Sequence, residues 1–127
     1  KVLGKPESVD NAREMVRRLS GRSHEVVTGV ALALAGERAV EILTQDHVTT
    51  RVWFRRLSAE EIEAYAASGE PMDKAGGYGI QGRGALLVRE VEGCYFNVVG
   101  LPLSRTWEML AALGYRFPRV AVENQEA

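Results

Sequence analysis

Apolar residues recur at two different periods along the chain, and the switches between them mark out its elements. From Val9 to Leu19 they fall at three- and four-residue spacing: Val9, Ala12, Met15, Val16 and Leu19. That stripe predicts an amphipathic helix of about ten to twelve residues. Ser8 can cap its start, Arg17 and Arg18 suit its C-terminal dipole, and Gly21 is a left-handed stop. From His24 to Ala35 the chain turns β-branched and then nearly continuously apolar, which predicts a strand buried on both faces. Gly36-Glu37-Arg38 reads as a turn. A second strand region runs from Ala39 to Phe54, with an interruption expected near Gln45-Asp46. Its second half alternates: Val48, Thr50, Val52 and Phe54 on one side, Thr49, Arg51 and Trp53 on the other. The two regions read as antiparallel neighbours.

Ser58-Ala59-Glu60-Glu61 has the form of a capping box, and Ile62, Tyr65 and Ala66 give the short helix behind it one apolar face. Gly69 closes that helix. Further on, Ala85 to Val91 and Tyr95 to Val99 read as a hairpin about Glu92-Gly93. A last helix follows, with Pro102 near its first turn and Leu103, Trp107, Leu110, Ala111 and Gly114 at helical spacing. Residues 116–127 form a polar tail without a period. The order of elements predicts a mixed α/β or α+β domain over residues 1–127, with a largely antiparallel sheet in place of repeated βαβ units.

Between the second helix and the expected hairpin the periodicity stops. Residues 69–84 hold Gly69, Gly76, Gly77, Gly79, Gly82 and Gly84, six of the 13 glycines in the chain. Each interior glycine costs a regular element roughly 0.5–1 kcal/mol relative to alanine, so this stretch reads as a sharply bent loop that something can approach closely. Glu70, Asp73, Lys74 and Arg83 sit on it. Bare amides beside a lysine suit an anionic group such as a phosphate; a long surface loop with solvated charges is the alternative from composition alone. Gly77-Tyr78-Gly79-Ile80-Gln81-Gly82 fits G-x-G-x-x-G, but the context is wrong for a dinucleotide site. The chain runs on into Ala85-Leu86-Leu87-Val88, which looks like a strand and not a helix, and no acid lies between Tyr95 and Leu101. A kinase loop would want valine where Gly84 stands, and a longer chain.

Composition narrows the classes. Net charge is −1 over 127 residues, with no basic footprint for a nucleic acid polymer. A 46% hydrophobic content suffices for a core. No apolar run reaches the roughly 18 residues of a membrane span. The single cysteine, Cys94, cannot make an internal disulfide, which fits a reducing, cytoplasmic setting. His24 and His47 have no partner at metal-ligand spacing, and Lys5, between Gly4 and Pro6, reads by itself as a solvated lysine.

Taken together, the landmarks resemble the Maf family of nucleoside triphosphate pyrophosphatases, also known as septum-formation inhibitor homologues. They are Leu3-Gly4-Lys5-Pro6, Leu19-Ser20-Gly21 with His24-Glu25-Val26-Val27-Thr28-Gly29-Val30, and Thr50-Arg51-Val52-Trp53-Phe54. Ser68-Gly69-Glu70-Pro71, Asp73-Lys74-Ala75-Gly76, Tyr78-Gly79-Ile80-Gln81-Gly82 and Asn97-Val98-Val99-Gly100-Leu101-Pro102 follow in the family's order. The resemblance implies a mixed α/β fold like that of inosine triphosphate pyrophosphatases, with a cleft between two lobes. It implies a house-cleaning hydrolysis in which water attacks the α-phosphorus of a nucleoside triphosphate, assisted by a divalent metal such as Mg, Mn or Co. Carried onto this sequence, Lys5 and Lys74 become the catalytic cations, and Gln81, Asp73 and Glu70 the substrate-binding residues. The family's Ser-x-x-Arg-type phosphate loop, metal-binding Glu and Asp-Thr pair with the base Asp match nothing here. The expectation is therefore the C-terminal two-thirds of such an enzyme, with no metal ligand of its own and nearly inactive alone. An amide such as Gln81 offers donors and an acceptor and can read the mixed edge of uracil or thymine. Correspondingly, the branch with Ile-Gln-Gly prefers dTTP and UTP, while a branch with a Ser-Glu-Gly-like sequence favours 7-methyl-GTP. A non-catalytic nucleotide-binding or cell-division regulatory module is the alternative. A homodimer is compatible with either, and neither calls for a membrane.

Overall fold

The computed structural model describes residues 2–119. Helix α1 (Val9–Leu19) starts as expected, the Ser8 hydroxyl accepting the Asn11 amide at 3.0 Å, and buries Ala12, Met15, Val16 and Leu19. Val9 stays exposed. Strand β1 (Ser23–Ala35) then pairs antiparallel with β2 (Val40–Phe54), from Ser23 opposite Trp53 to Ala35 opposite Val40. Two of the strand expectations are corrected here. β2 runs unbroken through Gln45-Asp46, because those residues stay in register with Ala31 and Val30; the irregularity lies nearer the tip, where Leu43 is the extra residue between Thr44 and Ile42. Nor is β1 buried on both faces. Its side chains alternate, and Val27 and Leu34 are 58% and 60% exposed.

Helix α2 (Ala59–Ala67) carries the capping box in full: Ser58 Oγ accepts the Glu61 amide at 3.1 Å, and the Glu61 carboxylate accepts the Ser58 amide at 2.9 Å. Arg13 on α1 donates two hydrogen bonds to Glu63 on α2, which sets the two helices side by side. The expected C-terminal hairpin does not form. Residues Arg83–Leu86 make a single 3-10 turn, and only Val88–Glu92 is a strand, β3, pairing antiparallel with the end of β2. Sheet order is β1-β2-β3.

Tyr95–Val99 is a helix, α3, in spite of its aromatic and β-branched residues. The reason is Asn97, which is almost wholly buried and whose amide nitrogen reaches the carbonyls of Val26 and Val48 and the Thr50 hydroxyl. Thr50 in turn donates to the Cys94 carbonyl at 2.9 Å. A turn of helix lays this amide across β1 and β2, and that tertiary demand outweighs a context-dependent β-propensity. Helix α4 (Leu103–Ala112) begins at Pro102, but Met109 is its buried residue; Trp107 and Leu110 are partly covered, and Leu103, Ala111 and the following Gly114 are exposed. Of the polar tail, residues 116–119 have no regular structure, and 120–127 lie outside the described residues.

The core joins α1, the inner ends of β2 and β3, α2 and the glycine-rich loop. Val16, Leu19, Val52, Phe54, Leu57, Ile62, Tyr65, Tyr78, Ile80 and Leu87 pack as one cluster. Because Tyr78 and Ile80 belong to it, the loop is anchored in the core.

Candidate functional site

Leaving α2, the loop folds into two 3-10 turns, Glu70–Asp73 and Ala75–Gly77, before the turn at Arg83–Leu86. Gly69, Gly76 and Gly77 take positive φ of about 80°, so the sharp bends read from composition are present. The Gly76 amide donates to the Gly4 carbonyl at 3.0 Å, tying the Gly4-Lys5-Pro6 segment to the loop.

The second half of the loop closes on Glu70. One carboxylate oxygen accepts the Arg83 amide at 2.9 Å, the other the Gly84 amide at 3.0 Å. The Tyr65 hydroxyl oxygen, from α2, accepts the Gly79 amide at 2.9 Å. Burial disfavours the charged form of Glu70, but the Tyr65 hydroxyl and the two amides outweigh it and hold the pKa below the usual carboxylate value. Burial, with Glu70 beside it, raises the Tyr65 phenol. The closure depends on two glycines. A Cβ on Gly82 would lie 1.8 Å from Glu70 Oε1, and one on Gly84 would lie 2.2 Å from the Gly79 carbonyl oxygen. No larger residue fits either place without moving the carboxylate or the backbone.

Of the residues singled out in the sequence, Glu70, Lys74 and Gln81 line one groove of about 390 Å³, with Tyr78, Gly79, Ile80, Gly82, Val98 and Val99. Lys74 lays its stem along the loop, its Cε 3.1 Å from where a Gly79 Cβ would stand, and its ammonium is 3.4 Å from Asp73. Asp73 is exposed and meets the site through that ion pair. Gln81 is exposed at the apex between the pinned amides of Gly79 and Arg83. Lys5 is exposed and lines a different groove, with Glu7, Asn11, Glu14, Met15 and Arg18. Between the two lies a third groove that shares Val2 and Leu3 with the Lys5 side and Tyr78 with the Gln81 side.

That middle groove exposes residues the sequence reading passed over. His24, noted there only for lacking a partner at metal-ligand spacing, has its Nε2 2.5 Å from the Tyr78 hydroxyl and packs edge-on against Phe54 and Tyr78. Burial lowers its pKa to about 4. Tyr65 was legible as part of an apolar helix face and Tyr78 only as a loop residue, and neither as a hydrogen-bonding one. The available signal was that a buried tyrosine hydroxyl needs a partner, and a loop rich in bare amides can supply one. Among the described residues no group of three or more His, Cys, Asp or Glu is placed to hold a metal ion, and no helix is long and apolar enough to cross a membrane.

Sheet, flanking helices and a loop folded onto its own carboxylate define a mixed α/β domain with a loop-built groove. A family model described as Maf-like protein matches residues 1–113, and the chain belongs to the Maf family. It is 58% identical over 114 residues to a dTTP/UTP pyrophosphatase of Moorella thermoacetica, covering 90% of this chain and 57% of that protein. Similar matches are to dTTP/UTP pyrophosphatases of Syntrophomonas wolfei (53% identical over 114 residues, 90% of this chain and 59% of the relative) and Carboxydothermus hydrogenoformans (51% over 115 residues, 91% and 60%). The chain thus spans less than two thirds of the length of these relatives.

Proposed function

We propose that this chain carries the base-reading and part of the phosphate-binding surface of an enzyme that hydrolyses dTTP and UTP to the monophosphate and pyrophosphate. The observation that carries the reading is the shared groove. It sets a cation, Lys74, and an exposed amide, Gln81, on one wall, on a loop whose Gly79, Arg83 and Gly84 amides are already taken by Tyr65 and Glu70. The similarity to proteins named dTTP/UTP pyrophosphatase supports the same assignment.

In this reading the base lies against Gln81, and the phosphates extend toward Lys74 and, through the middle groove, Lys5. A water oxygen forms a bond to the α-phosphorus, and the α–β bridging oxygen departs with its electron pair on pyrophosphate. The two ammonium groups act as point charges on oxygens where negative charge grows. Glu70 contributes from behind, through the backbone it holds, and Asp73 by steering Lys74. The divalent metal expected from the resemblance finds no fitting ligand set among the described residues, so no step is routed through it. The test is product analysis of the complete protein with dTTP by phosphorus NMR. Thymidine monophosphate and pyrophosphate in equal amounts are expected; diphosphate with orthophosphate would overturn the reading.

A further inference from the structure

Gln81 does not hold its own position. It projects from the turn Gly79–Gly84, and the three amides that pin this turn are bound by two side chains from elsewhere. Tyr65 Oη, on α2, takes Gly79; the Glu70 carboxylate takes Arg83 and Gly84. Tyr65 is 5% exposed and fixed in the core cluster, so the height of the turn is set from the hydrophobic core. Both glycines that let the turn close, Gly82 and Gly84, are shaped to this pair: a Cβ on the first meets Glu70, and one on the second comes within 3.0 Å of the Tyr65 hydroxyl.

We propose that Tyr65 and Glu70 are the positioning residues for base selection: they fix the turn that presents Gln81 to a pyrimidine ring. This inference rests on the reading of Gln81 as the base-contacting residue. An amide discriminates between bases only if its donor and acceptor meet the ring edge within hydrogen-bond geometry. A turn free to shift would let Gln81 follow either base edge, and preference would fall before turnover does. Glu70, a substrate-binding candidate on sequence grounds, thus acts one layer behind the substrate.

The experiment measures kcat and KM of the complete protein for dTTP, UTP and GTP. Wild type is compared with Tyr65→Phe, Glu70→Gln, Gln81→Ala and the double variant Tyr65→Phe/Gln81→Ala. Tyr65→Phe keeps the buried ring and removes only the oxygen, so folding is conserved; amide hydrogen exchange at Gly79 confirms that the pin is lost. The expected result is a dTTP-over-GTP preference reduced about tenfold in Tyr65→Phe and in Glu70→Gln, mainly through KM for dTTP. The double variant should discriminate no worse than Gln81→Ala, as coupled residues do. Wild-type preference in Tyr65→Phe despite faster Gly79 exchange would overturn the inference and leave the functional reading standing. A wild type that does not distinguish the three nucleotides would remove the reading itself, and the inference with it.

Discussion

His24 shows how one side chain joins the sheet to the loop. Its Nε2 meets the Tyr78 hydroxyl, while Nδ1 is buried with no partner among the described residues. A second proton would place a charge where nothing compensates it, and burial accordingly lowers the pKa to about 4. In the unfolded chain the ring protonates near 6.5. Between these values the unfolded state binds more protons than the folded one, so stability rises with pH across the window. The His24 contribution is complete above about 6.5 and is lost as pH falls toward 4. The melting temperature of wild type should therefore drop more between pH 7 and pH 4.5 than that of His24→Gln, which cannot titrate. Carboxylates such as Glu70 and Glu61 titrate in both proteins and cancel in the comparison. Parallel pH profiles would contradict this account of His24. In the sequence the same residue was legible only as a histidine at a strand edge, because its partner lies 54 positions away.

Elements whose signals are local were read well, and those decided by distant partners were not. The caps of α1 and α2 follow from side chains within three residues of each helix start, and both are present. The α3 segment reads as a strand by composition, and only the reach of Asn97 to Val26, Val48 and Thr50 makes it a helix. Likewise the loop's bends were visible in its glycines, whereas its closure on Glu70 and Tyr65 depends on atoms no spacing rule connects. The capping box has a consequence of its own. Arg55 joins Glu61 at 2.7 Å and also donates to the Leu86 carbonyl, so the start of α2 braces the end of the loop. Ser58→Ala should cost about 1 kcal/mol of unfolding free energy, read from denaturant titration, with little change in kcat. An unchanged midpoint would show that the box adds nothing beyond the packing of Ile62 and Tyr65.

Across the whole molecule the three grooves follow the junction between the N-terminal segment, α1, β1 and the glycine-rich loop. The far end of the β1–β2 hairpin points away from this junction in character as well as place: Leu34, Val40 and Ile42 are more than half exposed there. Lys5, Lys74 and Gln81 are thus held by the well-packed end of the domain. Nothing in the sequence alone separates Lys5 from Lys74 and Gln81 into different grooves, and the structure does so even though Gly4 is tied to Gly76. The proposed role of the loop depends on its reading the base through Gln81. The most direct measurement is kcat/KM of the complete protein for dTTP, UTP and 7-methyl-GTP, in wild type and in Gln81→Glu. A carboxylate only accepts hydrogen bonds and suits a positively charged methylated guanine, whereas the amide matches the mixed edge of a pyrimidine. The prediction is that Gln81→Glu lowers dTTP and UTP at least about tenfold relative to 7-methyl-GTP, a difference of about 1.4 kcal/mol. A fall by the same factor for all three substrates would contradict it.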